Sequence, residues 1–171
     1  MKKREKYILA VLVQIVIILA LVFTQISILF SPKTIFLKIV PVDPRDLLRG
    51  DYITFQYNIS RVPQSYFRGD RIKKGDMVYV VLKRSGKKYW DVWYVQKSKP
   101  QESDIFIRGR VAGENFDRSI HIKYGIEEYY IPEGAGRDFR FFGKEVLAEV
   151  KVDKNGNSLL KQVYIDGKKW P

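Results

Sequence analysis

Residues 43–51 are a short stretch of the sequence that is rich in charged side chains. Five charges fall within nine residues there, namely Asp43, Arg45, Asp46, Arg49 and Asp51. We predict one helical turn, in which Asp43 accepts backbone N–H groups at the start and Asp46 favours the positive end. Such a turn needs fewer charges than this for capping. Because an arginine can pair bidentately with a carboxylate, we expect the surplus charges to form a polar surface.

Three acids in a second stretch are suitable partners for these arginines. Glu127 and Glu128 precede two tyrosines, and Glu133 follows a proline. An ion pair from Arg45 or Arg49 to one of these acids would join both stretches into one polar face. The predicted binding site consists of Asp43, Arg45, Asp46, Arg49, Gly50, Asp51, Tyr52, Glu127, Glu128 and Glu133. The alternative is that both stretches only hold turns in shape.

The sequence has few of the side chains that redox and metal sites usually require. The chain has one histidine, His121, and no cysteine, so disulfides, thiolate nucleophiles and Cys-based metal sites are excluded. A zinc site needs several N or S ligands, and we predict neither a metal site nor a cofactor. His121 alternates with Ile120 and Ile122, which suits a surface or half-buried side chain better than a general base.

The residues that follow the charged turn resemble a known family signature. The motif that names the GDYXXLXY family of membrane-anchored proteins is matched by Gly50, Asp51, Tyr52 and Tyr57, with Phe55 in place of the family's Leu. The run Tyr-Gly-Ile-Glu-Glu-Tyr-Tyr-Ile-Pro-Glu-Gly, which begins at Tyr124, resembles a second signature of this family. The resemblance implies membrane anchoring but no particular activity.

An enzymatic alternative rests on two Gly-Asp pairs that open strand candidates, Gly50-Asp51 and Gly75-Asp76. The arrangement is similar to the β-rich catalytic domain of signal peptidases, which also follows an N-terminal anchor. In those enzymes a serine lies eight residues before the first such glycine, a place that Val42 holds here. No lysine base is identifiable either. The sequence therefore favours a non-enzymatic module, and the alternative is an envelope hydrolase of this barrel type with unlocated catalytic residues.

Residues 7–30 are predicted to form a transmembrane signal anchor. They carry no charge, and as a helix they cover about 36 Å, enough for a hydrocarbon core of about 30 Å. The segment ends without an Ala-x-Ala site, which argues against a cleaved signal peptide. Four basic residues precede it, so the positive-inside rule places the basic tail, residues 1–6, in the cytoplasm. Residues 34–171 then form an extracytoplasmic, β-rich domain of a single-pass protein of the cell membrane.

The sequence of this domain is typical of an all-β protein. Alternating and β-branched runs are separated by Pro, Gly and Asn-Gly turns, so we predict a small antiparallel barrel or sandwich of about seven to nine strands, preceded by the one transmembrane helix. The strand candidates are 34–40, 52–59, 77–82, 89–95, 105–111, 119–124, 146–152 and 159–165. Segments 61–70 and 125–136 are predicted to be loops, the second opening with a short helical or irregular turn, and 137–142 is predicted to be a helical turn.

One strand candidate supplies a clear prediction of the core. Ile53, Phe55, Tyr57 and Ile59 alternate with polar residues, so all four side chains should lie on one face of the strand. We predict that this face packs in one core against residues 78–82 and 146–152.

The charge of the chain indicates the class of partner. The net charge is +12, and the folded part remains basic when the N-terminal tail is left aside. Anionic lipid headgroups, envelope polyanions and nucleic acid all fit such a surface. With the domain outside the cell, nucleic acid is disfavoured. We predict that residues 7–30 contact the lipid bilayer and that the domain binds a membrane-protein partner or an anionic envelope polymer.

Overall fold

An N-terminal helix and a β domain make up the parts of the chain that the structure describes. The computed structural model describes residues 3–30, 33–40, 52–69, 71–86, 88–115, 117–130 and 143–170. Helix α1, Lys3–Leu29, contains most of the predicted membrane segment. Its 26 residues Arg4–Leu29 are long and apolar enough to cross a membrane, and the most apolar 18-residue part of this span is not buried by the protein.

The described part of the domain contains twelve strands. They are β1 (Lys33–Val40), β2 (Tyr52–Thr54), β3 (Gln56–Tyr57), β4 (Arg61–Pro63), β5 (Met77–Ser85), β6 (Tyr89–Gln96), β7 (Phe106–Glu114), β8 (Ser119–Lys123), β9 (Glu128–Tyr130), β10 (Val146–Val152), β11 (Ser158–Ile165) and β12 (Lys168–Trp170). Each strand candidate of the sequence coincides with one or two of these strands. The all-β prediction is confirmed.

The strands form two five-stranded antiparallel sheets and one two-stranded ribbon. The sheet orders are β12-β11-β10-β1-β3 and β4-β8-β7-β5-β6, and β2 pairs with β9 in the ribbon. Strand β1 pairs with β10 and β3 on its own sheet and lies beside β6, the edge strand of the other sheet. The other two edge strands facing each other, β3 and β4, are joined by only the three residues 58–60. The two sheets therefore nearly close into a barrel.

The predicted core is confirmed. Ile53, Phe55, Tyr57 and Ile59 are each at most 2% exposed. They belong to one cluster with Val78, Val80, Leu82, Val146, Ala148, Val150 and Val152. Successive side chains of a strand point to opposite faces, so these four residues share the buried face. Thr54, which lies between the first two of them, is exposed on the other face.

The loop predicted for residues 61–70 is wrong at its start. Arg61–Pro63 form strand β4, which pairs with β8, and a 3₁₀ turn, Gln64–Tyr66, follows. Val62 is fully buried, and this burial favours the extended conformation. Proline is tolerated because β4 lies at a sheet edge, where the absence of one N–H group breaks no ladder.

Two further predictions concern turns. The hairpin predicted around Asn155-Gly156 is confirmed, since β10 and β11 pair in antiparallel fashion, and the carboxylate of Asp153 accepts N–H groups from Asn155 and Asn157. The helical turns predicted within 41–51 and 137–142 lie outside the described residues.

Gly109 in β7 provides a sharp test of the packing between β7 and its neighbour β8 in the same sheet. A Cβ atom at this position would lie 2.4 Å from Cγ2 of Ile122 and 3.0 Å from the ring of Tyr124, both of which are buried. We expect Gly109→Ala to lower the free energy of unfolding by about 1–3 kcal/mol, as overpacking of a core does. Thermal unfolding of the full-length chain in detergent measures this effect.

Gly113 on the same strand is the matched control. A Cβ atom there meets nothing within 4 Å, so Gly113→Ala should change the unfolding free energy by no more than about 0.5 kcal/mol. Equal melting temperatures of the two variants would contradict the close approach of β7 to Ile122.

Candidate functional site

The two family-like stretches of the sequence meet in one ladder of hydrogen bonds. The register pairs Tyr52 with Tyr130, Ile53 with Tyr129 and Thr54 with Glu128. The ladder continues past the strand end, where the N–H of Phe55 donates to the carbonyl of Glu127 at 2.6 Å. Segments that are about 75 residues apart in the sequence therefore form one structural unit.

Strand β9 corrects the prediction of an irregular segment at 125–136. Residues 128–130 are extended because they pair with β2, and the ring of Tyr129 packs 6.1 Å from that of Phe55 and 6.0 Å from that of Trp170. Adjacent tyrosines are common in strands when they can pack on a neighbouring aromatic side chain. Residues 131–136 lie outside the described part.

Glu127 holds the turn that precedes β9. Its carboxylate accepts the N–H of Tyr124 at 2.5 Å and the N–H of Gly125 at 2.9 Å. Gly125 has a φ of 78°, a conformation that glycine adopts without steric cost. Both carboxylate oxygens of Glu127 thus have a structural role in shaping the turn.

Two buried tyrosine hydroxyls fasten this turn to the strand on the other side. The hydroxyl of Tyr57 donates to the carbonyl of Ile126, and the hydroxyl of Tyr124 donates to the carbonyl of Ile59 at 2.6 Å. Burial raises the pKa of both phenols, and the nearby negative charge of Glu127 raises them further. Both hydroxyls therefore keep their protons and serve as permanent donors at physiological pH.

An open groove lies along the outer side of this unit. Its volume is about 460 Å³, and its lining residues are Thr54, Phe55, Gln56, Ser60, His121, Lys123, Gly125, Glu127 and Glu128. We call it the motif groove. Thr54, Lys123 and Glu128 are exposed there, and Glu127 is half-buried. The groove therefore contains one lysine, two carboxylates and neutral hydrogen-bonding groups.

His121 is the titratable group most affected by its position in the motif groove. Burial lowers the pKa of the half-buried imidazole below its ordinary value of 6.5, the cations Lys123 and Arg61 lower it further, and Glu127 opposes them. The ring is therefore neutral near pH 7 and can donate one hydrogen bond and accept another. Within the described part of the chain it makes no hydrogen bond.

The side chains of Ser60, His121 and Glu127 line the same groove but do not form a catalytic triad. The hydroxyl oxygen of Ser60 accepts the N–H of Tyr57 at 3.1 Å, and the carboxylate of Glu127 holds the turn. No hydrogen bond connects these three side chains in the described residues. A triad requires both the nucleophile–base bond and the bond that orients the base. The geometry thus gives no support to a hydrolase.

The other predicted site residues have different outcomes. Asp43, Arg45, Asp46, Arg49, Gly50, Asp51 and Glu133 lie outside the described residues, so their predicted ion pairs stay predictions. Tyr52 lies in β2, Glu128 begins its partner strand β9, and Glu127 immediately precedes that strand. No group of three metal-ligating side chains occurs among the residues that the structure describes.

The residues of the motif groove that the predicted site lacks include Thr54, Gln56, His121 and Lys123. Thr54 and Gln56 carry a recognisable signal, because they alternate with the apolar residues of their strand and must point away from the core. His121 and Lys123 carry no such signal, since their proximity to β2 depends on the order of strands in the sheet.

Comparison with known proteins places the chain in a family. A search of curated proteins found no match, and a search of solved structures found none either. A family model described as GDYXXLXY protein matches residues 14–163, which include α1 from its second half onward and almost all of the β domain. This match covers most of the chain. Residues 52–57, which comprise β2 and β3 and which we call the motif strand, lie inside it together with β9, the partner of β2. The chain belongs to the GDYXXLXY family.

Proposed function

We propose that the protein is a single-pass, membrane-anchored module whose domain lies outside the cell membrane and binds an extended segment of a membrane-protein partner in the motif groove. One observation supports this function above the others. The two family signatures form one ladder, in which the inward side chains build the core and the turn, while the outward ones line an open, polar groove.

The short connection between helix and domain supports a partner at the membrane. Strand β1 begins at Lys33, four residues after α1 ends at Leu29, and four extended residues span no more than about 14 Å. The ammonium group of Lys33 donates to the carbonyls of Glu102 and Asp104, which fixes the start of β1 on the loop between β6 and β7. The reach of the domain is therefore limited to molecules embedded in the bilayer or lying at its surface.

The charges of the motif groove favour a peptide segment over a polyanion. Lys123 and Glu128 have opposite signs, and Thr54, Gln56 and His121 add neutral donors and acceptors. An anionic polymer would be repelled by Glu128, whereas an extended peptide presents both donors and acceptors along its backbone and carries side chains of either sign. Of the two partner classes that the sequence suggests, the groove thus favours the membrane protein.

A single cysteine variant tests both the orientation and the groove, because the chain contains no cysteine of its own. We expect Thr54→Cys in the full-length protein to react with a membrane-impermeant maleimide on intact spheroplasts, since Thr54 is exposed. A photo-crosslinker attached to the same cysteine should capture a defined membrane protein.

Lys83→Cys is the matched control, because Lys83 is also exposed but lies on β5, which does not line the motif groove. It should react equally with the maleimide and give no defined crosslink. If neither cysteine reacts until the membrane is permeabilised, the proposed orientation is wrong. If both react and give the same crosslinks, the motif groove is not the partner site.

A further inference from the structure

A second depression adjoins the motif groove and lies against the carboxyl end of α1. Its volume is about 570 Å³, and it is lined by Ile28, Met77, Arg108, Gly109, Arg110, Lys123, Tyr124, Gly125, Asn157 and Ser158. We call it the basic depression. Its lining contains three cations, Arg108, Arg110 and Lys123, and no carboxylate among the described residues.

Strand geometry brings these three cations together. Arg108 and Arg110 lie two positions apart on β7 and therefore point to the same face, and Arg110 stands directly opposite Lys123 of β8 in the register. Like charges at opposed positions of an antiparallel pair destabilise the sheet. A bound anion would offset this repulsion.

The contacts within the described part leave most of this positive charge uncompensated. The guanidinium of Arg110 donates one hydrogen bond, to the carbonyl of Gly75 at 3.2 Å, and this neutral acceptor carries no negative charge. The ion pairs of the described residues are Lys88–Glu145, Lys97–Asp76 and Lys161–Glu149, and none of them includes Arg108, Arg110 or Lys123. The depression is thus suited to an anionic ligand.

The position of α1 indicates which anion is within reach. Ile28, one residue before the end of the helix, is 8% exposed because it packs against the domain, and it forms one wall of the basic depression. Within the span Arg4–Leu29, the uncharged residues 7–29 cover about 35 Å as a helix, more than the ~30 Å hydrocarbon core of a bilayer. When α1 spans the membrane, its carboxyl end and the depression beside it lie at the level of the lipid headgroups.

We propose that Arg108, Arg110 and Lys123 bind the phosphate of an anionic lipid headgroup in the leaflet where α1 ends. Guanidinium groups bind phosphate oxygens bidentately, and Lys123 adds a point charge on the facing strand. The bound headgroup fixes the orientation of the domain on the bilayer and thereby the direction in which the motif groove opens. This inference rests on the proposed membrane anchoring but not on the proposed partner.

Lipid binding by the full-length chain in detergent tests the proposal. In native mass spectrometry, the wild-type protein should retain phosphatidylglycerol more strongly than phosphatidylcholine. The double variant R108Q/R110Q should weaken phosphatidylglycerol binding on the order of 25-fold, about fivefold for each charge removed near an anionic surface, and R108Q alone about fivefold. Phosphatidylcholine binding should change much less, because its own choline cation compensates the charge of its phosphate.

The variant K168Q/K169Q is the matched control, because it also removes two exposed cations. Strand β12 pairs with the end of β11, whereas the basic depression touches the start of β11 at Ser158, so these lysines lie at the opposite end of that strand. The control should bind phosphatidylglycerol like the wild-type protein, and thermal unfolding should show that all variants are folded.

Three results would overturn the proposal. The first is an unchanged preference for phosphatidylglycerol in R108Q and R108Q/R110Q, and the second is an equal loss in K168Q/K169Q. The third is binding of inorganic phosphate as tight as that of phosphatidylglycerol, which would make the depression a phosphate site independent of lipid. The labelling and crosslinking of Thr54→Cys do not involve these arginines, so the failure of one proposal is distinguishable from the failure of the other.

Discussion

Replacing Phe55 by alanine should lower the free energy of unfolding by about 3–5 kcal/mol, the usual cost of removing a fully buried aromatic side chain. Phe55 is 1% exposed and lies between β2 and β3, with its ring 6.1 Å from that of Tyr129. The substitution leaves a cavity and also removes the aromatic contact that joins the motif strand to β9. Since the whole stability of a domain is about 5–15 kcal/mol, thermal unfolding in detergent should show a large fall in Tm.

Thr54→Ala is the control for this prediction. Thr54 is the preceding residue on the chain but is exposed on the opposite face, so its truncation should change the unfolding free energy by about 0.5 kcal/mol or less. A Phe55→Ala variant that melts together with Thr54→Ala would exclude Phe55 from the core and with it the assigned phase of the motif strand.

The elements that the sequence predicts correctly are those governed by local pattern. The alternation of Ile53, Phe55 and Tyr57 with polar residues identifies the buried face, because side chains two residues apart on a strand lie on the same face. The Asn155-Gly156 hairpin is equally local, since its turn residues and both flanking strands are contiguous in the chain.

Two of the strands that the sequence misses, β9 and β4, depend on distant partners. Strand β9 has only three residues, one glutamate and two tyrosines, and nothing within it indicates that β2 provides its hydrogen bonds. Strand β4 ends in proline and is allowed only because the topology puts it at an edge. In both cases tertiary pairing outweighs the local signal.

The candidate site was only partly predictable for the same reason. The observed link between the two family-like stretches is a backbone ladder with Tyr57 and Tyr124 as hydroxyl donors, whereas the ion pairs predicted from Arg45 or Arg49 stay predictions. The basic depression was not predictable, because Arg110 and Lys123 become neighbours only through the register of β7 and β8.

Replacing Glu127 by glutamine should lower the free energy of unfolding by about 1–3 kcal/mol. Glutamine has the same shape but only one acceptor oxygen, so it cannot accept from both the N–H of Tyr124 and the N–H of Gly125. Its amide NH₂ group would instead face one of these donors, and the loss of charge weakens the hydrogen bond that remains. Equilibrium unfolding of the full-length chain in detergent measures the difference.

Glu128→Gln is the matched control, because it makes the same chemical change one residue along, at an exposed side chain with no hydrogen bond in the described part. Its unfolding free energy should stay within about 0.5 kcal/mol of the wild-type value. If Glu127→Gln unfolds like the wild type but abolishes the crosslink from Thr54→Cys, Glu127 acts on the ligand and the turn is held by other contacts. If Glu127→Gln is destabilised and still gives the crosslink under conditions in which it is folded, the carboxylate serves the turn alone. The ligand in the motif groove must then be recognised by the outward-facing side chains of Thr54, Lys123 and Glu128.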